Sequence, residues 1–191
     1  AAARNANMSK DTIERAVQRG GGGGADTNYE GIRYEGYGPG GVAIILEALT
    51  ANRNRTAAEI RSVFSKGGGN MGNSGSVAYN FNRMGVFRLN PDDVKDIEAL
   101  ELELIDHGLE EMGEGSGEKG EKQIVIRCAL TSFGAMQAEL EKRGLQPIEA
   151  SSEYIPVSTV QLPEAQATEV LQMIDSLEQD DDVQQVFHNL A

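Results

Sequence analysis

Apolar positions along this chain change period several times, and each change marks an element. Over Lys10 to Arg19, Ile13, Ala16 and Val17 recur at helical spacing, Asn7 to Ser9 offer caps, and the run Gly20 to Gly24 stops the pattern. From Ile32 the pattern becomes extended: Ile32 and Tyr34, then Val42 to Leu49, flank the cluster GYGPGG and predict a hairpin. Helical spacing returns over Thr56 to Lys66 through Ile60, Val63 and Phe64, with Thr56 and Glu59 placed as a capping box and Gly67 to Gly69 as the stop. Val77 to Phe81 and Val86 to Leu89 then predict two strands joined by a turn at Met84-Gly85.

A second unit opens at Asn90, with Pro91 at a first helical position and Asp92 and Asp93 beside the positive helix end, and its helix is expected to run to about Met112. The stretch GEGSGEKGEK reads as a solvated low-complexity loop. Strand Gln123 to Leu130, helix Ser132 to Arg143 closed by Gly144, and strand Pro147 to Tyr154 follow. A last strand, a helix with the stripe Ala167, Val170, Leu171, Ile174 and Leu177, and a strand at Val183, Val186 and Phe187 complete the chain. Three such elements are too little to fold alone, so residues 156–191 are expected to return to the sheet begun at Ile32. The predicted class is α+β. It comprises the remnant of a helical N-terminal domain (1–24), a central antiparallel α+β domain (28–90 plus 156–191), and an inserted smaller α+β domain (91–155). The opening AAARNAN reads as the tail of a helix already under way, which predicts further chain before residue 1.

Composition narrows the class. With 39% hydrophobic and 25% charged residues the chain can bury real cores, and it has no run of about 18 apolar residues such as a spanning helix needs. Neither a membrane association nor a secretory signal is expected, and the single Cys128 fits a reducing cytoplasm.

Charge changes the picture most. The whole chain carries −13, yet between Thr50 and Asn90 stand Arg53, Arg55, Arg61, Lys66, Arg83 and Arg88 against the one acid Glu59. A basic island kept in an acidic protein points to a polyanion, because neutralising phosphates with Lys and Arg drives sequence-independent nucleic-acid affinity. Arg15 and Arg19 add to it from the first helix. Residues 91–122, with twelve acids and three lysines, repel phosphate instead.

Motifs for other chemistry lack their context. Gly36-x-Gly38-x-x-Gly41 joins strand to strand and Gly67-x-Gly69-x-x-Gly72 leaves a helix for a strand, whereas dinucleotide binding needs strand, loop, then helix. Asn73 and Ser74 follow Gly72, so no Walker lysine is present. His107 and His188 have no metal-ligand spacing, and Cys128 in an apolar strand reads as a small buried hydrophobe. No catalytic residue, cofactor, metal or small-molecule substrate is expected.

The segment NRNRT, Asn52 to Thr56, places two arginines just ahead of the predicted helix start. There free backbone N–H groups and the dipole already favour a phosphate, and guanidinium forks match its geometry. The alternative is that these arginines pair with Glu47 or with the acidic module. Asn70, Asn73, Ser74 and Ser76 could add positioning hydrogen bonds, or the loop could be a plain close turn.

The stretches ANMSKDTIERAVQRG, YEGIRYEGYGPGGVAIILEALTANRNRTAAEIR and SKGGGNMGNSGSVAYNF together resemble the YebC family over the whole chain. The resemblance implies a helical N-terminal domain and a central α+β domain interrupted by an inserted one. It also implies a nucleic-acid-binding regulator of gene expression: a DNA-binding transcriptional regulator, with a ribosome-associated role in translation assigned to the family as well. Arg53, Arg55 and Thr56 are the motif positions it carries over. The Lys/Arg-rich segment with which family members begin is absent here, and Ser9 stands where proline is usual. Expected partners are DNA or RNA, ribosomal RNA included. A second reading is a protein-interaction adaptor whose acidic inserted domain holds a basic partner on the ribosomal or transcription machinery.

Overall fold

The computed structural model describes residues 28–191. The predicted helix over Lys10 to Arg19, the glycine run, Arg15 and Arg19 lie outside the described residues. The described chain divides into two compact units, one formed by residues 28–82 with Pro156–Ala191 and the other by Arg83–Ile155.

The first unit is a four-stranded sheet with two helices on one face. Strand β1 (Glu30–Tyr37) pairs antiparallel with β2 (Ala43–Thr50) in the register Tyr34↔Leu46. The turn between them passes through Gly40 at φ 70°, where a Cβ would also stand 2.5 Å from Leu162 Cδ2, so glycine is required twice over. Helix α1 (Arg53–Lys66) follows, then the short edge strand β3 (Asn70–Gly72) against β1. α1 ends in a Schellman closure: Gly69 N–H donates to Phe64 O at 2.8 Å and Gly68 N–H to Ser65 O at 3.3 Å, with Gly68 at φ 84°.

Helix α1 buries Thr56, Ile60 and Phe64, spaced by four, against Tyr34, Ile44 and Leu46 of the sheet. Each such fully buried apolar side chain contributes about 1.5–3 kcal/mol. The C-terminal helix, Glu164–Glu178, supplies Val170, Met173, Ile174 and Leu177 to the same core. Strand β8 (Val183–His188) then pairs with β2, completing the order β3-β1-β2-β8 with β2 internal and almost wholly apolar.

The second unit holds β4 (Phe81–Leu89, entering from the first unit), helix α2 (Ile97–Leu104), β5 (Leu109–Ser116), β6 (Lys122–Ala129), helix α3 (Phe133–Lys142) and β7 (Glu149–Pro156), in sheet order β5-β6-β4-β7. Its core is Phe87, Leu89, Ile124, Ile126 and Cys128 from the strands with Leu100, Leu104, Met136 and Leu140 from the helices. Helix α4 (Glu164–Glu178) belongs to the returning segment of the first unit. The fold class is α+β, as the alternation of periods predicts.

Several elements differ from the sequence reading. Helix α1 begins at Arg53, three residues early, because Asn52 is the cap: its side chain accepts Arg55 N–H at 3.1 Å, while Thr56 is committed elsewhere. Val77 to Phe81 is not a strand but a turn and a short 3-10 segment, Ala78–Asn80. Met84-Gly85 is no turn, since β4 runs through it. Gly85 is there for space, because a Cβ would meet Phe133 Cδ2 at 2.8 Å and Cys128 Sγ at 2.9 Å. The long acidic helix stops at Leu104, followed by a 3-10 turn and Gly108 at φ 95°. Leu109–Ser116, expected as helix end and solvated loop, is a strand on β6. The strand expected before α4 reduces to one bridge, Val160↔Leu190.

Candidate nucleic-acid interface

Helix α1 positions four of the expected site cations. Arg53 is two-thirds exposed, with side-chain accessibility 67%, and reaches Glu30 Oε1 at 3.1 Å. Arg55, exposed at 55%, lies 3.3 Å from Asp182 Oδ2 and 3.6 Å from Glu59 Oε1. Arg61 and Lys66 are exposed and make no ion pair among the described residues. Two of the four are thus neutralised by the protein's own carboxylates, through surface pairs that are weak and screened by salt.

Thr56 does not belong to that surface. It is fully buried, and its hydroxyl lies 2.8 Å from Asp182 Oδ2 and 2.7 Å from Thr50 Oγ1. The Thr50 hydroxyl in turn accepts Asn52 N–H at 2.9 Å. The chain of bonds locks the first turn of α1 to the end of β2 and to the turn before β8, so Thr56 is structural.

Arg83 and Arg88 are in the other unit, on β4, and do not share a face. Five residues apart on a strand, they point to opposite sides of the sheet. Arg83 donates to Tyr154 Oη at 2.6 Å and Ser152 Oγ at 3.0 Å, its guanidinium 4.7 Å from the Tyr154 ring centre. Arg88 is half-buried between Glu153, at 3.5 Å, and Glu149, at 3.9 Å. The six cations that cluster in sequence therefore divide into four on one helix and two separately engaged on a strand.

Three residues that shape the region escape the sequence reading. Glu35, with no exposed side-chain surface, accepts N–H from Gly75 at 2.7 Å, Val77 at 3.0 Å and Ala78 at 2.7 Å, and lies 3.3 Å from Arg33 Nε. Burial pushes its carboxyl up, but the three backbone N–H groups and Arg33 outweigh burial and hold it below the usual carboxylate range. Asp182 is the acceptor for Thr56 and Arg55 described above, hidden in sequence by the acid run Asp180 to Asp182. Tyr79 is the third, with 72% of its surface exposed on the loop that Glu35 holds. Asn70, Asn73 and Ser74 are exposed along that loop and Ser76 is half-buried.

Other ionisable groups offer little chemistry. Glu59, Asp180 and Asp182 bring carboxylate oxygens within 4.8 Å of one another, and a hydrogen bond with Asp180 raises Glu59. The Cys128 thiol is buried and pushed up by desolvation, which keeps it unreactive. His188 is lowered by burial, and its Nδ1 accepts Leu190 N–H at 3.1 Å. Among the described residues no helix is long and apolar enough to cross a membrane.

The fold, a four-stranded unit interrupted by an acidic α+β unit, is that of a known class of bacterial proteins. The sequence model described as the TACO1/YebC second and third domain matches residues 29–190. A probable transcriptional regulatory protein of Myxococcus xanthus is 58% identical over 99% of this chain and 78% of its own length. One of Amoebophilus asiaticus is 45% identical over 99% of this chain and 76% of its own. The crystal structure of a conserved hypothetical protein from Aquifex aeolicus superposes with a TM-score of 0.80 at 39% identity, covering 97% of this chain and 74% of that one. The chain belongs to the TACO1/YebC family. Both of these relatives carry the name probable transcriptional regulatory protein.

Proposed function

We propose that this protein is a cytoplasmic regulator of gene expression that binds DNA or structured RNA through the exposed cations of α1. The observation that supports this reading is charge placement. Within a chain of −13, α1 carries Arg53, Arg55, Arg61 and Lys66 against Glu59 alone, and no Asp or Glu follows until Asp92. All four cations are at solvent. Phosphate contacts of this kind fix position without reading base order. The names of the relatives are consistent with a nucleic-acid partner.

The test is a salt titration with Arg61→Glu and Lys66→Glu combined. Affinity is expected to fall alike on all sequences, and the slope against log salt to flatten by about two. Unchanged affinity and slope remove α1 from the account.

A second reading, an adaptor acting through the acidic unit, is favoured by Leu102 and Ile105, which are 70% and 54% exposed beside Glu98, Glu101 and Asp106. It predicts that Leu102→Asp with Ile105→Asp abolishes association with ribosomes or polymerase and leaves nucleic-acid affinity intact. Retained association would remove it.

A further inference from the structure

Tyr79 stands on a loop built to hold it. Residues 73–78 are fastened from beneath by Glu35, whose buried carboxylate takes three of their backbone N–H groups. The Tyr37 hydroxyl donates to Ser76 O at 3.4 Å and lies 3.5 Å from the Tyr79 hydroxyl, so the ring is tethered at its edge. Most of its surface remains at solvent, at 72% exposure. Single exposed aromatics are common on protein surfaces. This one differs in being preorganised on a segment, Gly67 to Asn82, that carries no charged side chain and presents the amides and hydroxyl of Asn70, Asn73 and Ser74.

We infer that Tyr79 is a stacking platform for an unpaired nucleobase. The inference rests on the nucleic-acid reading above and names the form of polymer. A rigid aromatic ring loses little freedom when a base stacks on it, and every base has a face to offer once it is out of a duplex. Bases inside a duplex are already stacked and cannot reach the ring. The site is separate from the cations of α1. Gly36 faces the helix side of the sheet, where a Cβ would meet the Phe64 ring at 2.6 Å, and its neighbour Glu35 points to the opposite side, carrying the Tyr79 loop with it.

The experiment is fluorescence anisotropy of labelled oligo-U, oligo-dT and a duplex of the same length, each titrated with the full chain at one salt concentration. Wild type, Tyr79→Ala, Tyr79→Phe and the Arg61→Glu, Lys66→Glu pair are compared, with circular dichroism confirming that each is folded. Tyr79→Ala should weaken both single strands by about fivefold to a hundredfold, leave the duplex unchanged, and be rescued by Phe. An unchanged single-strand affinity in Tyr79→Ala, with weakening in the charge-reversed pair, overturns the stacking site and leaves the parent reading standing. Equal losses on duplex and single strand also overturn it. If wild type binds none of the three, both readings fall together.

Discussion

Thr56 Oγ1 lies 2.8 Å from Asp182 Oδ2, across more than a hundred residues of sequence, and this one bond joins the first turn of α1 to the turn that starts β8. The Thr56 side chain is fully buried, so the hydroxyl has no water to fall back on. Its second neighbour, Thr50 Oγ1 at 2.7 Å, ties in the end of β2.

Thr56→Val keeps the shape and removes the hydroxyl, so Asp182 Oδ2 keeps only the exposed Arg55 and Thr50 Oγ1 only the Asn52 N–H. The expected loss is about 1–3 kcal/mol of unfolding free energy, read from the urea midpoint at constant slope. Thr56→Ser should recover most of it. A Val variant as stable as wild type would mean that the contact contributes nothing net.

Glu35 gives a pH dependence with a definite sign. Its folded pKa is lowered below the ordinary value, so its contribution is present above the unfolded pKa and is lost as pH falls through the folded one. The protection of the Gly75, Val77 and Ala78 amides against exchange, measured relative to the intrinsic rate at each pH, should fall below the usual carboxylate range. Glu35→Gln should show the lowered protection already at neutral pH, because the amide can present an N–H where a backbone donor needs an acceptor. Glu59 acts in the opposite sense: its pKa is raised, so what it contributes is present at low pH and fades as pH rises. Protection at the three loop amides that stays constant on acidification would show that Glu35 does not fasten the loop.

What the sequence makes legible follows from periodicity. Ile60 and Phe64, Val42 to Leu49, and the stripe Val170, Ile174 and Leu177 identify their elements because burial imposes the spacing. β5 was hidden for a physical reason: only Leu109, Met112 and the small residues between Glu110 and Ser116 carry its alternation, and its stability comes from pairing with β6. The cap was misplaced because Asn52 and Thr56 are both good cap residues, and only the partner Asp182, far along the chain, decides between them. Charge clustering found α1 and its cations. It could not show that Arg83 and Arg88 point to opposite faces, nor that Glu30 and Asp182 would take up Arg53 and Arg55, because those pairings are made by the fold.

Gly85 and Gly113 provide a matched pair within one sheet. A methyl group at Gly85 would press on Phe133 Cδ2 and Cys128 Sγ, both under 3 Å, in a packed core, whereas at Gly113 nothing lies within 4 Å. Gly85→Ala is expected to cost about 1–3 kcal/mol by overpacking, and Gly113→Ala to be neutral or slightly stabilising. Equal thermal midpoints for the two variants would contradict the packing of Phe133 on β4.

The competition between phosphate and the protein's own acids yields the last prediction. Glu30 Oε1 holds Arg53 at 3.1 Å, with both side chains more than half exposed, so the pair is a weak surface one of roughly 0.2–1 kcal/mol. On the proposed reading, a phosphate must displace Glu30 before Arg53 can bind it. Glu30→Gln removes the competitor while leaving α1 and its Asn52 cap untouched. Nucleic-acid affinity at low salt should therefore rise by about 1.5-fold to fivefold, the difference shrinking as salt screens the pair, whereas Arg53→Gln should lower affinity. The two changes made together should match Arg53→Gln alone, since Glu30 then has nothing to hold. A gain from Glu30→Gln that persists without Arg53 would locate the effect in general repulsion, and no gain at all would take Arg53 off the path of the polyanion.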